Sequence, residues 1–241
     1  MKSLKEYIYE GLLDRVKNKE VNHEAVVKEF LEANYEIKGS YTIKETKEGF
    51  IVDVKGNVIV KNKNITSLTN EFFEFGVVSG YFDCRNCNSL TSLEGAPKEV
   101  GGYFYCSGCS SLTSLEGAPK EVGESFNCIG CELLKTLEGA PEEVGRDFEC
   151  AACSSLISLK GAPEKVGCNF NCNNCKLLKT LEGAPKKIQG FFYCDGCKSL
   201  KTLEGAPEEV GRDFGCAMCG IKFSTKDVKK YTKVAGSIQV I

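Results

Sequence analysis

A 22-residue unit recurs through most of this chain, and it admits few folds other than a stack of coils. Phenylalanine stands at 82, 104, 126, 148, 170, 192 and 214, and cysteine pairs follow it at 84/87, 106/109, 128/131, 150/153, 172/175, 194/197 and 216/219. Leucine pairs at 90/93 through 200/203, a Gly-Ala-Pro step and an aliphatic at 100, 122, 144, 166, 188 and 210 complete the unit. Phe-x-Cys has the period of two that sets both side chains on one face of a strand. The spacings of three that follow, Cys-x-x-Cys-x-x-Leu-x-x-Leu, suit a chain curling around an interior. The coil returns through Gly-Ala-Pro, where proline lacks an N–H and biases the residue before it to extended geometry, so the return arm is not a helix. One coil cannot bury its apolar edge alone, and stability comes from stacking on neighbours about 4.8 Å away.

The fold expected is therefore a mainly β repeat solenoid with short parallel strands, a helix-poor convex side and a small α+β N-terminal cap. Residues 1–19 read as a helix or targeting peptide, 20–55 as the α+β cap, 56–79 as a degenerate first coil, 80–219 as seven Cys-x-x-Cys coils and 220–241 as a C-terminal cap. In the degenerate coil Val60 and Lys63 replace the cysteines. A cap helix is expected from His23 to Tyr35, with strands at Tyr41–Ile43 and Phe50–Val54. Beyond Cys219, Ser224 or Thr225 caps a helix running through Val234, Gly236 ends it, and Ile238 and Val240 alternate as a last strand.

The order apolar-x-Cys-x-x-Cys-x-x-Leu-x-x-Leu is similar to leucine-rich repeats, with Cys87, Cys109 and their successors at the usual Asn/Cys position. The resemblance covers about residues 57–241 and is nearest to short-repeat phage and bacterial members. A second resemblance lies at the N-terminus. Met1-Lys2-x-x-x-Glu6-Tyr7-Ile8-x-Glu10-Gly11 resembles the capsid-targeting peptides of T4-like phage head proteins, which implies a processing site between Glu10 and Gly11. The same segment also reads as an amphipathic helix, since Leu4, Ile8, Leu12 and Val16 share a face.

Successive cysteine pairs have tetrathiolate zinc spacing, Cys-x2-Cys-x18-Cys-x2-Cys. They also keep step with phenylalanine, leucine, proline and valine, so the spacing follows from coil length, and the cysteines are read as a core ladder of small hydrophobes. A metal or redox role is the alternative, and inter-coil disulfides are disfavoured because stacked side chains run parallel. Cys168 stands apart in a column otherwise holding Gly102, Glu124, Arg146, Gly190 and Arg212, and is expected at the surface.

The outward side of the strands is the candidate functional surface. The sole histidine, His23, lies outside the array, phosphate-cradling glycine motifs are missing, and the Lys/Glu doublets read as a solvated face. No enzyme and no cofactor are expected. A formal charge of −2 provides no field for nucleic acid, and no apolar run suggests a secretory signal or a membrane span. The expected location is the host cytoplasm, with the virion interior a further possibility, and the expected partner is a protein. No oligomeric state follows from the sequence. The candidate binding face comprises Tyr81, Asp83, Arg85, Tyr103, Tyr105, Asn127, Glu149, Asn171, Phe191, Tyr193 and Asp195, with aromatic residues clustered at two places and acidic and amide residues between. A structural virion spacer is the competing reading.

Overall fold

The computed structural model describes residues 22–240, so the Glu10–Gly11 processing site lies outside the described residues. Helix α1, His23–Asn34, starts where the Asn22 side chain accepts the Glu24 N–H at 3.0 Å, and buries Val26, Val27, Phe30 and Leu31. Phe30 meets Phe72 with ring centroids 4.9 Å apart, so the helix closes the N-terminal end of the core. The helix stops one residue short of the sequence expectation, because Tyr35 opens a strand. That strand, β1 (Tyr35–Thr46), pairs antiparallel with β2 (Gly49–Val60) over its whole length, making one long hairpin in place of two short strands.

Strand β2 seeds everything that follows. Its first half pairs in parallel with Glu74–Val78, and its second half places Val58 and Ile59 beside Phe82 and Asp83. Two parallel ladders grow from it. The Phe ladder continues through Phe104–Tyr105 to Phe214–Gly215, as the Phe-x-Cys period required. The other ladder, Glu99–Val100 and its equivalents to Glu209–Val210, gives the return arm a strand of its own. The protein is thus a parallel β-solenoid with 22-residue coils and few helices.

Both ends depart from the 22-residue step. Val58 pairs with Phe82 and Phe214 pairs with Ile238, each 24 residues on, so a search at fixed period misses these outer coils. At the C-terminal end the two additional residues accommodate α2, Thr225–Val228, whose Ser224–Asp227 capping box fixes its start. The helix is a single turn and not the longer one read from sequence, because Lys233 and Val234 are drawn into pairing with Glu209 and Val210. The array therefore runs past Cys219.

In-register pairing stacks identical side chains. Phe82, Phe104, Phe126, Phe148, Phe170, Phe192 and Phe214 are fully buried, and successive rings lie 5.2 to 5.5 Å apart, near parallel. The leucine pairs and thirteen of the fifteen cysteines are buried with them; Cys219 is half-buried, and so is Cys168, which sequence reasoning put at the surface. From the second Cys-x-x-Cys coil onward, the second cysteine donates its thiol to the carbonyl of the first cysteine of the preceding coil, as from Cys109 to Cys84 at 3.2 Å and Cys153 to Cys128 at 3.2 Å. Cysteine at this column thus fills volume and also satisfies a buried carbonyl at the coil corner.

Candidate functional site

The Phe strands carry alternate side chains outward, so residues on either side of each buried phenylalanine line one face. At its N-terminal end this face holds a compact aromatic group. Tyr103 and Tyr105 stack with centroids 5.5 Å apart and planes 3° from parallel, Tyr81 lies 6.2 Å from Tyr105, and the Arg85 guanidinium sits 4.8 Å above the Tyr105 ring. Asp83 is not part of the exposed surface, which corrects the sequence reading: it is only 5% exposed. Its carboxylate accepts the Arg85 backbone N–H at 2.9 Å and both Nε and Nη2 of the same guanidinium, at 3.0 and 2.6 Å. Burial pulls its pKa upward, yet those hydrogen bonds outweigh burial and hold the carboxyl below its usual range. Asp83 is therefore the positioning group that fixes Arg85 against Tyr105.

A second aromatic group stands four coils away, about 19 Å at the usual strand spacing. Phe191 and Tyr193 stack at 5.4 Å, with Arg212 positioned 5.6 Å over Phe191. The predicted ridge is thus two separate patches.

Between the patches, and at Asp195 beside the second, the remaining predicted residues are engaged with their own neighbours. Asn171 donates to Glu149 at 2.8 Å and accepts the Asn173 N–H at 3.0 Å, Asn127 accepts the Ile129 N–H at 3.1 Å, and Asp195 accepts the Ala217 N–H at 2.7 Å. Asp147 and Asn169 extend the ladder, with Asn169 Nδ2 donating to Asp147 Oδ1 at 2.7 Å. These side chains close the sheet surface as a polar ladder, the amide counterpart of the buried thiols.

Burial raises the pKa of Glu149, the Asn171 hydrogen bond only partly offsetting it, and a nearby Asp147 adds to the rise. A carboxyl whose pKa is raised by folding costs stability above that pKa, and the cost vanishes as pH falls below its unfolded value. Glu149→Gln keeps an acceptor for Asn171, and its Tm is expected to exceed wild type at pH 7, with the two converging near about pH 3. Thermal denaturation at both pH values checks this, and a lower Tm at pH 7 would contradict it.

The other ladder, which reads in the sequence as a solvated Lys/Glu face, is more than that. It lines an open groove of about 1330 Å³ running from Val77 to Ala235. Its walls are the charged column that includes Glu99 and Glu121, partly neutralised farther along by the Lys165–Glu143 and Lys187–Glu209 pairs. Its floor includes Gly101, Gly123, Gly145 and Gly167. The signal was present in the sequence as a glycine following the aliphatic in nearly every coil. Elsewhere Leu133, Ile157 and Leu177, on three successive coils, are each exposed by between 43% and 49%, which the Leu-x-x-Leu pattern does not encode.

Among the described residues, no group of three or more His, Cys, Asp or Glu side chains is arranged to hold a metal ion, and no helix is long and apolar enough to cross a membrane. Comparison with known protein families, curated proteins and solved structures finds no match.

Proposed function

We propose that this protein is a non-enzymatic solenoid that binds a protein partner through the aromatic patch of Tyr81, Tyr103, Tyr105 and Arg85, with Phe191 and Tyr193 as a second anchor. The observation that carries this reading is the pre-stacked geometry of the first patch. Its rings and guanidinium are already ordered by Asp83 and by stacking, so a partner gains apolar and cation–π area without an added cost of immobilising side chains. The rigid array fixes the spacing between the patches.

The reading is tested by replacing Tyr103, Tyr105 and Tyr193 with Ser. All three are only half-buried, so the far-UV spectrum is expected to stay unchanged. Affinity for the partner recovered from host lysate is expected to fall roughly 30-fold or more, the loss of about one hot-spot residue. Undiminished capture by the folded triple variant would instead favour a rigid virion spacer, a reading supported by the closed polar ladder around Asn171.

The likeness of Met1–Gly11 to a capsid-targeting peptide supports packaging in a phage head, with the leucine-rich-repeat-like array as cargo that meets a host protein. Mass spectrometry of purified virions is expected to find the chain with a new N-terminus at Gly11. Virions without the protein would overturn the packaging proposal while leaving the binding patch to its own test.

A further inference from the structure

The cysteine columns pair diagonally. In-register cysteines such as Cys194 and Cys216 come from the same column of stacked coils, and their side chains run parallel. The thiol that approaches Cys194 is instead Cys219, whose Sγ donates to the Cys194 carbonyl oxygen at 3.3 Å, while the Cys194 thiol donates to the Gly215 carbonyl at 3.2 Å. The same diagonal contact recurs from Cys109 to Cys84 up the array, with the thiols of the preceding pairs buried. Only the last pair reaches the surface. Cys219 is half-buried because the chain turns away at Gly220 toward α2 and the next coil brings no cysteine over it, whereas Cys194 is fully buried.

We propose that Cys194 and Cys219 form a reversible disulfide when the protein meets hydrogen peroxide, with Cys219 as the attacking thiol and Cys194 as the resolving one. In the first step the Cys219 thiolate attacks one peroxide oxygen, the O–O bond breaks, and the hydroxide that leaves takes up a proton, giving a sulfenic acid and water. In the second step the Cys194 sulfur attacks the Cys219 sulfur, forming the S–S bond and releasing a second water. Two thiols are oxidised by two electrons and one peroxide is reduced to two waters. The local chemistry favours this order. The neighbouring Cys194, the Cys197 backbone and nearby Lys198 together outweigh burial and the Asp195 charge and hold the Cys219 thiol below its usual range, while the same interaction and burial push Cys194 up. Lys198 reaches across to donate to the Met218 carbonyl at 2.9 Å, which keeps its charge beside the pair.

The structure supplies an internal control in Cys168, which is also half-buried but lies outside the paired columns. The folded full-length protein is treated with stoichiometric peroxide, alkylated, digested and mapped by mass spectrometry. The expected product is a 194–219 crosslinked peptide with the mass loss of two hydrogens, reversed by dithiothreitol, forming at least tenfold faster than any oxidation of Cys168. Sulfoxide at the exposed Met218 is scored separately by its added oxygen. Cys219→Ser is expected to abolish the crosslink and Cys168→Ser to leave it unchanged. Accumulation of Cys219 sulfinic acid with Cys194 still a free thiol, or oxidation of Cys168 at the same rate as Cys219, would overturn the proposal; both readouts are taken on the wild-type chain and do not depend on a variant folding.

Discussion

Phe148→Ala is expected to cost about 3–5 kcal/mol of stability. Phe148 is fully buried and stacked on Phe126 at 5.4 Å and Phe170 at 5.3 Å, so removing its ring opens a cavity between two coils. The flanking coils are held apart by in-register hydrogen bonds, with Phe148 N donating to Asn169 O and Phe126 N to Asp147 O, and they cannot collapse into the space without breaking that register. Because each coil touches only its neighbours, the loss also weakens coupling between the two halves of the array. Phe148→Leu is expected to cost less than half as much, since it retains most of the volume. Urea denaturation of the two variants checks the ordering, and near-equal midpoints for wild type and Phe148→Ala would contradict the continuous core.

Gly145→Ala is expected to cost on the order of 3 kcal/mol, at the upper end for an added methyl group. A Cβ at Gly145 would overlap the carbonyl oxygen of Gly123 in the preceding coil, and that oxygen belongs to backbone that cannot swing aside. The close approach repeats at Gly123 and Gly167, while farther along the groove the same column carries Gln189 and Ala235. Gly130 is the informative contrast. It has φ of +71° between two cysteines, where an added Cβ meets nothing within 4 Å, so Gly130→Ala is expected to cost only about 1 kcal/mol for the left-handed conformation. Ala152, in the equivalent position at φ +57°, shows that the site tolerates a methyl group. Chemical denaturation of both alanine variants distinguishes a steric effect from a conformational one, and equal costs would contradict the close coil contact.

The array was legible because its phenylalanine and cysteine columns recur in all seven Cys-x-x-Cys coils, and cysteine, phenylalanine and leucine at fixed offsets can share one interior only by stacking. The end coils were less legible for a physical reason: each takes a 24-residue step, and Ile238 stands in the phenylalanine column without a cysteine pair after it. The Glu-Val strand on the return arm was hidden because a two-residue strand has no periodicity of its own and exists only through pairing with the coils above and below. At the candidate site, the aromatic residues were legible from their variation between repeats. The burial of Asp83 was not, because it depends on the Arg85 side chain folding back two residues along the strand. Nor did the sequence separate Asn127, Glu149, Asn171 and Asp195 from a binding surface, since a polar ladder and a polar contact face have the same composition.

The cysteine pairs decide the account most directly, because they are either core or metal ligands. Native-state alkylation of the reduced protein, with and without a zinc chelator, distinguishes the two. The core reading predicts rapid labelling of Cys168 and Cys219 only, with the thirteen buried thiols protected until denaturant is added and the far-UV spectrum unaffected by chelation. Unfolding on chelation, or chelator-dependent exposure of the paired cysteines, would contradict it.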